Sequence, residues 1–216
     1  TRNDQPPDWV ISGQGMGTPR TFTSDGRSLL VGDHNAFGEQ VGTFFWRMFP
    51  TAATAPDFFA QDPVNPNYAW LQGDFTADGR LILLGGTLHL WNSFPQDPST
   101  RPNLTITGYA FEGGDGGAAV VAGGRVYALM YNGNKIVAYN SLPQRPEQRP
   151  DFAIGSPSPD VNTLRTESLM TNPRPVSNGR SLFVSSDFDR RLCVWKSLPD
   201  QSGARPDWVY ELPFAP

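Results

Sequence analysis

The sequence predicts an all-β chain: a β-propeller of four-stranded antiparallel blades, four of them visible, within a larger six-bladed or multi-chain ring. Three observations carry this. First, an aromatic-centred strand ending in Pro recurs four times, centred on Trp46, Trp91, Tyr139 and Trp195. Second, each copy is followed by a Pro-Asp/Asn strand: Pro56-Asp57-Phe58, Pro102-Asn103-Leu104, Pro150-Asp151-Phe152 and Pro206-Asp207-Trp208. Third, the aromatic anchors lie 45, 48 and 56 residues apart, the period of a propeller blade rather than of a leucine-rich or short helical solenoid.

Each blade divides into four strands. A short, rather polar inner strand comes first, at residues 20–23, 73–76, 118–121 and 175–176. It runs into a Gly-Arg turn, at Gly26-Arg27, Gly79-Arg80, Gly124-Arg125 and Gly179-Arg180. Asp-Gly and Asn-Gly between apolar runs are strong hairpin signals, because Gly supplies the positive φ of a tight primed turn. The second strand is nearly continuous in apolar residues, at 28–31, 81–84, 126–130 and 181–184. Such a run suits a strand covered on both faces, as when blades stack. The anchor strand is third and the Pro-Asp strand outermost. The blades so read span residues 17–60, 70–107, 117–155 and 172–212. No segment combines helical periodicity with caps, so almost no α-helix is expected. Radial repetition leaves only short, protected sheet edges.

A fifth outer-strand copy, Pro7-Asp8-Trp9-Val10-Ile11, precedes the first blade. It reads as the outer strand (residues 6–12) of a preceding blade. Unpartnered flanks on blades one and four are therefore expected, and exposed sheet faces and edges invite association.

Composition narrows the function. The formal charge is −4 and the pI about 5.1, against the basic face that nucleic-acid binding needs. Gly 22 and Pro 21 fall at regular turn positions rather than in a disordered tract. Cys193 stands alone, so no internal disulfide forms, and its place in the anchor strand reads as a small buried residue. No apolar run reaches transmembrane length, so no direct membrane insertion is expected. Asn103-Leu104-Thr105 fits the glycosylation sequon, a match as readily due to chance.

Residues 179–199, Gly-Arg-Ser-Leu-Phe-Val-Ser-Ser-Asp-Phe-Asp-Arg-Arg-Leu-Cys-Val-Trp-Lys-Ser-Leu-Pro, resemble the repeat of NHL propellers. There a strand ending in Asp is followed by a polar turn, a basic residue and a Val-x-Val-Trp/Phe strand. Asp33 and Asp187 match the acidic position, Lys135 and Arg191 the basic one. Residues 150–163 resemble the bacterial extracytoplasmic branch of these proteins, which implies a periplasmic or secreted location. Blade two departs from the pattern, with Gly85-Gly86-Thr87 in place of the acidic and basic turn. The resemblance implies a propeller, commonly six-bladed, and no single activity.

Catalytic chemistry is sparsely supplied. His89 shares a strand face with Trp91 and reads as a packed or hydrogen-bonded sheet residue. His34 follows Asp33 in a turn and reads as solvated, with ligand binding the weaker alternative. Enzymatic NHL-type propellers, such as peptide-amidating lyases, use several His ligands near the channel, and two histidines cannot provide three. Ca²⁺ takes oxygen ligands without histidine, so Asp33 and Asp187, with Asn35, Asp115, Asn132 and Asp189, form the candidate metal set. Asp and Asn at turns also serve simply as local hydrogen-bond acceptors, the plainer reading here. Trp46, Trp91, Tyr139 and Trp195 are structural repeat anchors, while Trp9 and Trp208 sit in outer strands as core or blade-interface residues. Trp70 and Tyr68 lie off the repeat, in the long connection before blade two, where exposed aromatics hint at function. Arg165 and Glu167 occupy the equivalent loop before blade four.

The leading expectation is a non-enzymatic scaffold that mediates protein–protein interaction or assembly. It would work through its long-loop face and exposed blade edges, with a protein or a further propeller chain as partner and no cofactor. The alternatives are a Ca²⁺-dependent enzyme of lyase or lactonase type and a carbohydrate-binding propeller. Binding residues are expected at Tyr68, Trp70, Arg165, Glu167 and His34. The long connections at 12–19, 61–72, 108–117 and 156–174, with the loop at 33–42, should share one side, and the tight turns the other.

Overall fold

A computed structural model describes residues 6–8, 10–51, 54–111, 117–130, 134–161, 173–186, 190–211 and 213. It contains sixteen strands in four four-stranded antiparallel sheets, and among the described residues no helix. Blade one is β1 (Pro19–Ser24), β2 (Leu29–Ala36), β3 (Gln40–Trp46) and β4 (Phe58–Ala60). Blade two is β5 (Gln72–Phe75), β6 (Leu81–Leu84), β7 (Leu88–Trp91) and β8 (Leu104–Thr105). Blade three is β9 (Gly117–Ala122), β10 (Arg125–Met130), β11 (Ile136–Tyr139) and β12 (Phe152–Ile154). Blade four is β13 (Pro173–Ser177), β14 (Leu182–Ser186), β15 (Arg191–Trp195) and β16 (Trp208–Glu211). In every sheet spatial order equals chain order. The innermost strands β1, β5, β9 and β13 pack against one another in succession around a shared channel.

The two sequence signatures have direct physical causes. At the hairpin, the Asp25 carboxylate accepts hydrogen bonds from the N–H groups of Arg27 (2.9 Å) and Ser28 (2.6 Å). Asn178 does the same for Arg180 (3.0 Å) and Ser181 (2.8 Å). Gly26 and Gly179 take φ of 81° and 86°, which an L side chain seldom adopts. The Pro-Asp/Asn motif is a clamp on the anchor strand. Asp57, Asn103, Asp151 and Asp207 each accept from the N–H that directly follows the anchor, on Arg47, Asn92, Asn140 and Lys196 at 2.7–2.8 Å. The exposed end of each third strand is thereby satisfied.

Three apolar seams join the blades. The forward flank of blade one (Leu30, Phe45, Phe58) meets the rear flank of blade two (Leu81, Leu83, Trp91). Ile82, Leu84 and Leu90 meet Val126, Ala128, Val137 and Tyr139. Tyr127, Ala138 and Phe152 meet Leu182, Val184, Cys193 and Trp195. All four anchors are at most 4% exposed. The Nε1 groups of Trp46, Trp91 and Trp195 donate to the carbonyls of Thr54, Thr100 and Ala204. The hydroxyl of Tyr139, shorter in reach, is buried without a hydrogen-bond partner.

The two ends of the array differ, contrary to the expectation that both flanks lie open. The rear of blade one (Leu29, Phe44, Trp46) is covered by Ile11 and Met16. Of the described residues among 6–12, Ile11 packs on that face, Val10 is 60% exposed and none pairs in a sheet; Trp9, at the centre of that segment, lies outside the described residues. Blade four exposes its forward flank only at the inner and outer strands: Val176 is 61%, Trp208 47% and Tyr210 51% accessible, whereas Val194 of β15 is 4%. Trp208, expected in the core or at a blade interface, is thus a surface residue. The Lys196 Nζ lies over its ring, 4.1 Å from the centroid.

Candidate functional site

Two features are placed where a partner or ligand could meet the fold: the central channel and the side bearing the long connections. The channel encloses a cavity of about 530 Å³ between β1, β5, β9 and β13. Arg20, Gln72, Asp74 and Arg174 are its charged and amide side chains; Phe22 and Val176 add exposed apolar surface. Burial pushes the Asp74 carboxyl above the ordinary range, and hydrogen bonds from the Val121 and Phe75 N–H groups offset this only in part. Asp74 Oδ2 accepts from Val121 N at 2.9 Å, linking blade two to the inner strand of blade three. Thr23 makes the corresponding link from blade one, its Oγ1 accepting from Gly73 N at 3.0 Å.

The long-loop side is organised by buried acids. Asp33, fully buried, accepts from the N–H groups of Gly17 (3.0 Å), Thr18 (2.9 Å) and Asn35 (2.8 Å). Its carboxylate thus ties the turn of blade one to the connection entering it. In blade two the acid comes from the other partner. Asp62, in the connection, accepts from Gly86 N (3.0 Å) at the turn, and from Val64 N (2.8 Å) and Asn65 N (2.7 Å). A Cβ on Gly85 would fall 2.0 Å from Asp62 Oδ2, so glycine there permits the approach. His89 Nε2 stands 3.3 Å from Asp62 Oδ2, and His89 Nδ1 lies 3.0 Å from Thr105 Oγ1. Burial pushes the Asp62 carboxyl up, but His89 and the two backbone donors Asn65 and Val64 outweigh it, and the net displacement is downward.

The predicted site residues are therefore scattered. Trp70, expected as an exposed loop aromatic, is 3% accessible; its ring packs edge-on with His34 at 5.6 Å, beneath Gly32 of β2. His34 is half-buried and belongs to β2, because that strand continues beyond a register shift to pair Ala36 with Gln40. Tyr68 is exposed, at 69%. Asn35 is exposed and its Nδ2 donates to Thr18 Oγ1 at 3.2 Å. Arg165, Glu167, Asp115, Asn132, Asp187, Asp189 and Trp9 lie outside the described residues. Among the described residues no three His, Cys, Asp or Glu side chains gather as a metal site. Asp62 was not legible as a partner of His89; the one available signal was the loss of the acidic turn at Gly85-Gly86.

The long connections and the β2–β3 tip carry exposed apolar side chains. Phe37, Val64, Tyr68 and Val161 are 53%, 52%, 69% and 39% accessible. Phe37 sits at the β2–β3 tip in the left-handed region (φ 54°), held by its N–H to Gly15 O and by ring contacts with Phe44 and Phe59. A non-glycine residue in that region stores strain that its surroundings must offset. The tight-turn side exposes Met48 and Phe49.

No family model matches the chain, and no curated protein sequence matches it. Solved structures do match. One, from Lactobacillus plantarum, aligns at 13% identity and TM-score 0.50, over 86% of this chain and 52% of that one. Another, from Bacteroides uniformis and assigned by inference as a 6-phosphogluconolactonase, aligns at 12% identity and TM-score 0.54, over 94% and 60%. The Swd1 β-propeller domain of Myceliophthora thermophila aligns at 13% identity and TM-score 0.42, over 93% and 73%. At such identities the likeness shows the fold alone, a β-propeller. The chain spans 52% and 60% of the first two proteins.

Proposed function

We propose that this chain is a non-enzymatic, NHL-like propeller scaffold that docks a protein partner on its long-loop face. The carrying observation is that Phe37, Val64, Tyr68 and Val161, each on a loop of that side, are exposed though apolar. Loops positioned by a rigid scaffold are where binding residues concentrate. The acids and His89 that could serve chemistry are instead engaged with backbone donors or with one another. The test is affinity capture with the parent chain and a Phe37→Ser/Tyr68→Asp variant. A partner held by the parent and lost by the variant, at unchanged melting temperature, is the expected result; equal retention by both would sink the reading.

The rival, a lactonase- or lyase-type enzyme using Ca²⁺, draws support from the channel, whose size suits a small ligand and whose walls carry Arg20, Gln72, Asp74 and Arg174. Calorimetric titration with Ca²⁺ separates the two. A saturable heat that disappears in Asp74→Asn would favour the enzyme and count against the scaffold.

A further inference from the structure

We infer that the long-loop end of the channel binds a small monocarboxylate, its head held by Arg174, Gln72 and Thr21 and its apolar body lying along the channel. The site is distinct from the exposed loop residues of the docking face and needs no Ca²⁺, so it stands or falls independently of both readings above.

The four inner strands bring matching positions into layers around the channel. Thr23, Asp74, Val120 and Val176 pair across their sheets with Leu30, Ile82, Tyr127 and Phe183, one register position repeated in every blade. Two residues earlier on each inner strand, nearer the long connections, stand Thr21, Gln72, Ala118 and Arg174. In the first layer the fold itself uses the polar groups of blades one and two: Thr23 and Asp74 accept from Gly73 N and Val121 N of the next inner strand. The second layer differs. By the same spacing the partner of Thr21 would be Leu71 N, which donates instead to Thr43 Oγ1 at 2.8 Å. Thr21, only 8% exposed, therefore keeps its hydroxyl buried without a hydrogen-bond partner. Such atoms are rare in native folds, and each calls for an explanation.

All four residues of that second layer line one recess off the channel, walled by Trp70 and Leu129. The recess holds about 10 Å³, room for one oxygen-sized group, so only the tip of a ligand enters and the rest lies in the channel. Three features fix the ligand's chemistry. Among the described residues the channel is lined by two guanidinium groups, Arg20 and Arg174, against one carboxyl, Asp74. That excess of positive charge favours an anion, and a monoanion balances it better than a phosphate dianion. A guanidinium fork beside a hydroxyl and an amide matches the planar carboxylate. Phe22 and Val176, 75% and 61% exposed, line the same channel and give the body apolar cover. Asp74 stands one layer away from the head, its carboxylate accepting from Val121 N and Phe75 N.

The probe is hydrocinnamate, titrated calorimetrically into the full chain with EDTA present. Saturable binding is expected, weakened on the order of tenfold in Arg174→Gln and in Thr21→Val, since each removes a hydrogen bond to the charged head. The neutral amide of the same acid, and inorganic phosphate, should bind more weakly by a similar factor. Thr21→Val carries a second readout. Because the hydroxyl is unpartnered in the ligand-free chain, the variant should melt no lower than the parent while losing affinity; a purely structural Thr21 would melt lower and leave affinity unchanged. The Phe37→Ser/Tyr68→Asp variant should bind hydrocinnamate like the parent, which separates this site from the docking face. No saturable binding by the parent up to millimolar probe, unchanged affinity in either channel variant, or phosphate bound as tightly as the carboxylate would overturn the assignment.

Discussion

Two tyrosines of blade three make opposite predictions from the same substitution. Tyr139 is fully buried in the seam between blades two and three, and its hydroxyl meets no hydrogen-bond partner. Burial pushes its phenol pKa upward, as expected where little stabilises the anion. Tyr127 is equally buried, in the seam between blades three and four, but its hydroxyl donates to Pro199 O at 2.8 Å. A buried polar group without a partner costs about 1–3 kcal/mol of desolvation. Removing the Tyr139 oxygen leaves a void of roughly 10–15 Å³, worth only ~0.3 kcal/mol at 24 cal/mol per Å³. Tyr139→Phe should therefore stabilise the chain by about 1 kcal/mol or more. Tyr127→Phe loses a hydrogen bond and strands a carbonyl, and should destabilise by about 1–2 kcal/mol. Urea titration followed by circular dichroism is the assay. With unchanged m-values the midpoints should move in opposite directions, and melting temperatures should separate by roughly 2–4 °C per kcal/mol. If Tyr139→Phe loses as much as Tyr127→Phe, the Tyr139 hydroxyl is bonded in solution and the reasoning fails.

Further outcomes follow from the seams, the clamps and the buried acid. Trp91→Ala should cost about 3–5 kcal/mol, as large aromatic deletions in cores do, whereas Trp208→Ala on the exposed outer strand should cost under about 1 kcal/mol; equal losses in a paired denaturation would contradict the seam assignment. Asp207→Ala removes the acceptor from Lys196 N and should cost about 1–2 kcal/mol, while Asp207→Asn should lose little, since Asn103 fills the same role in blade two. Asp62→Ala strands three backbone N–H groups and His89 and should cost about 3–5 kcal/mol, read by thermal melting at neutral pH. The Asp62 carboxyl is depressed in the folded chain, so its contribution is present above the unfolded-state value and is lost as pH falls through the folded one. The parent and Asp62→Ala should therefore converge in stability as pH drops below about 4, and a constant gap down to pH 2 would refute the linkage.

The blade count and strand order were readable because the repeat is written in residues with local jobs. Asp-Gly sets the hairpin, the aromatic fills the seam, and Pro-Asp/Asn clamps the anchor strand, each acting within about a dozen residues. The joint between a blade and its incoming connection was not readable, because what blades one and two share there is a buried carboxyl accepting backbone N–H groups and not a residue in a column. Asp33 delivers it from the turn and Asp62 from the connection, so blade two looks degenerate in sequence while reproducing the contact in space. Trp70 misled for a related reason: its position off the repeat suggested a loop surface, but Gly32 opens room beneath β2 for its ring. Trp208 was placed by analogy with Phe58 and Phe152, and analogy of position could not say whether another blade follows it.

The linear order of seams also sets how the molecule comes apart. A sheet's hold on the array is the sum of its own ladder and the seams on either side. Blades two and three each have two seams, blade one has a seam and a short cover, and blade four has one seam and an outer strand, β16, that is exposed throughout. Opening should therefore begin at β16 and travel inward, so that amide exchange in blade four runs ahead of the rest. The grip of β15 on β16 thus sets the rate at which the array begins to unravel, and with it how long all four blades remain folded.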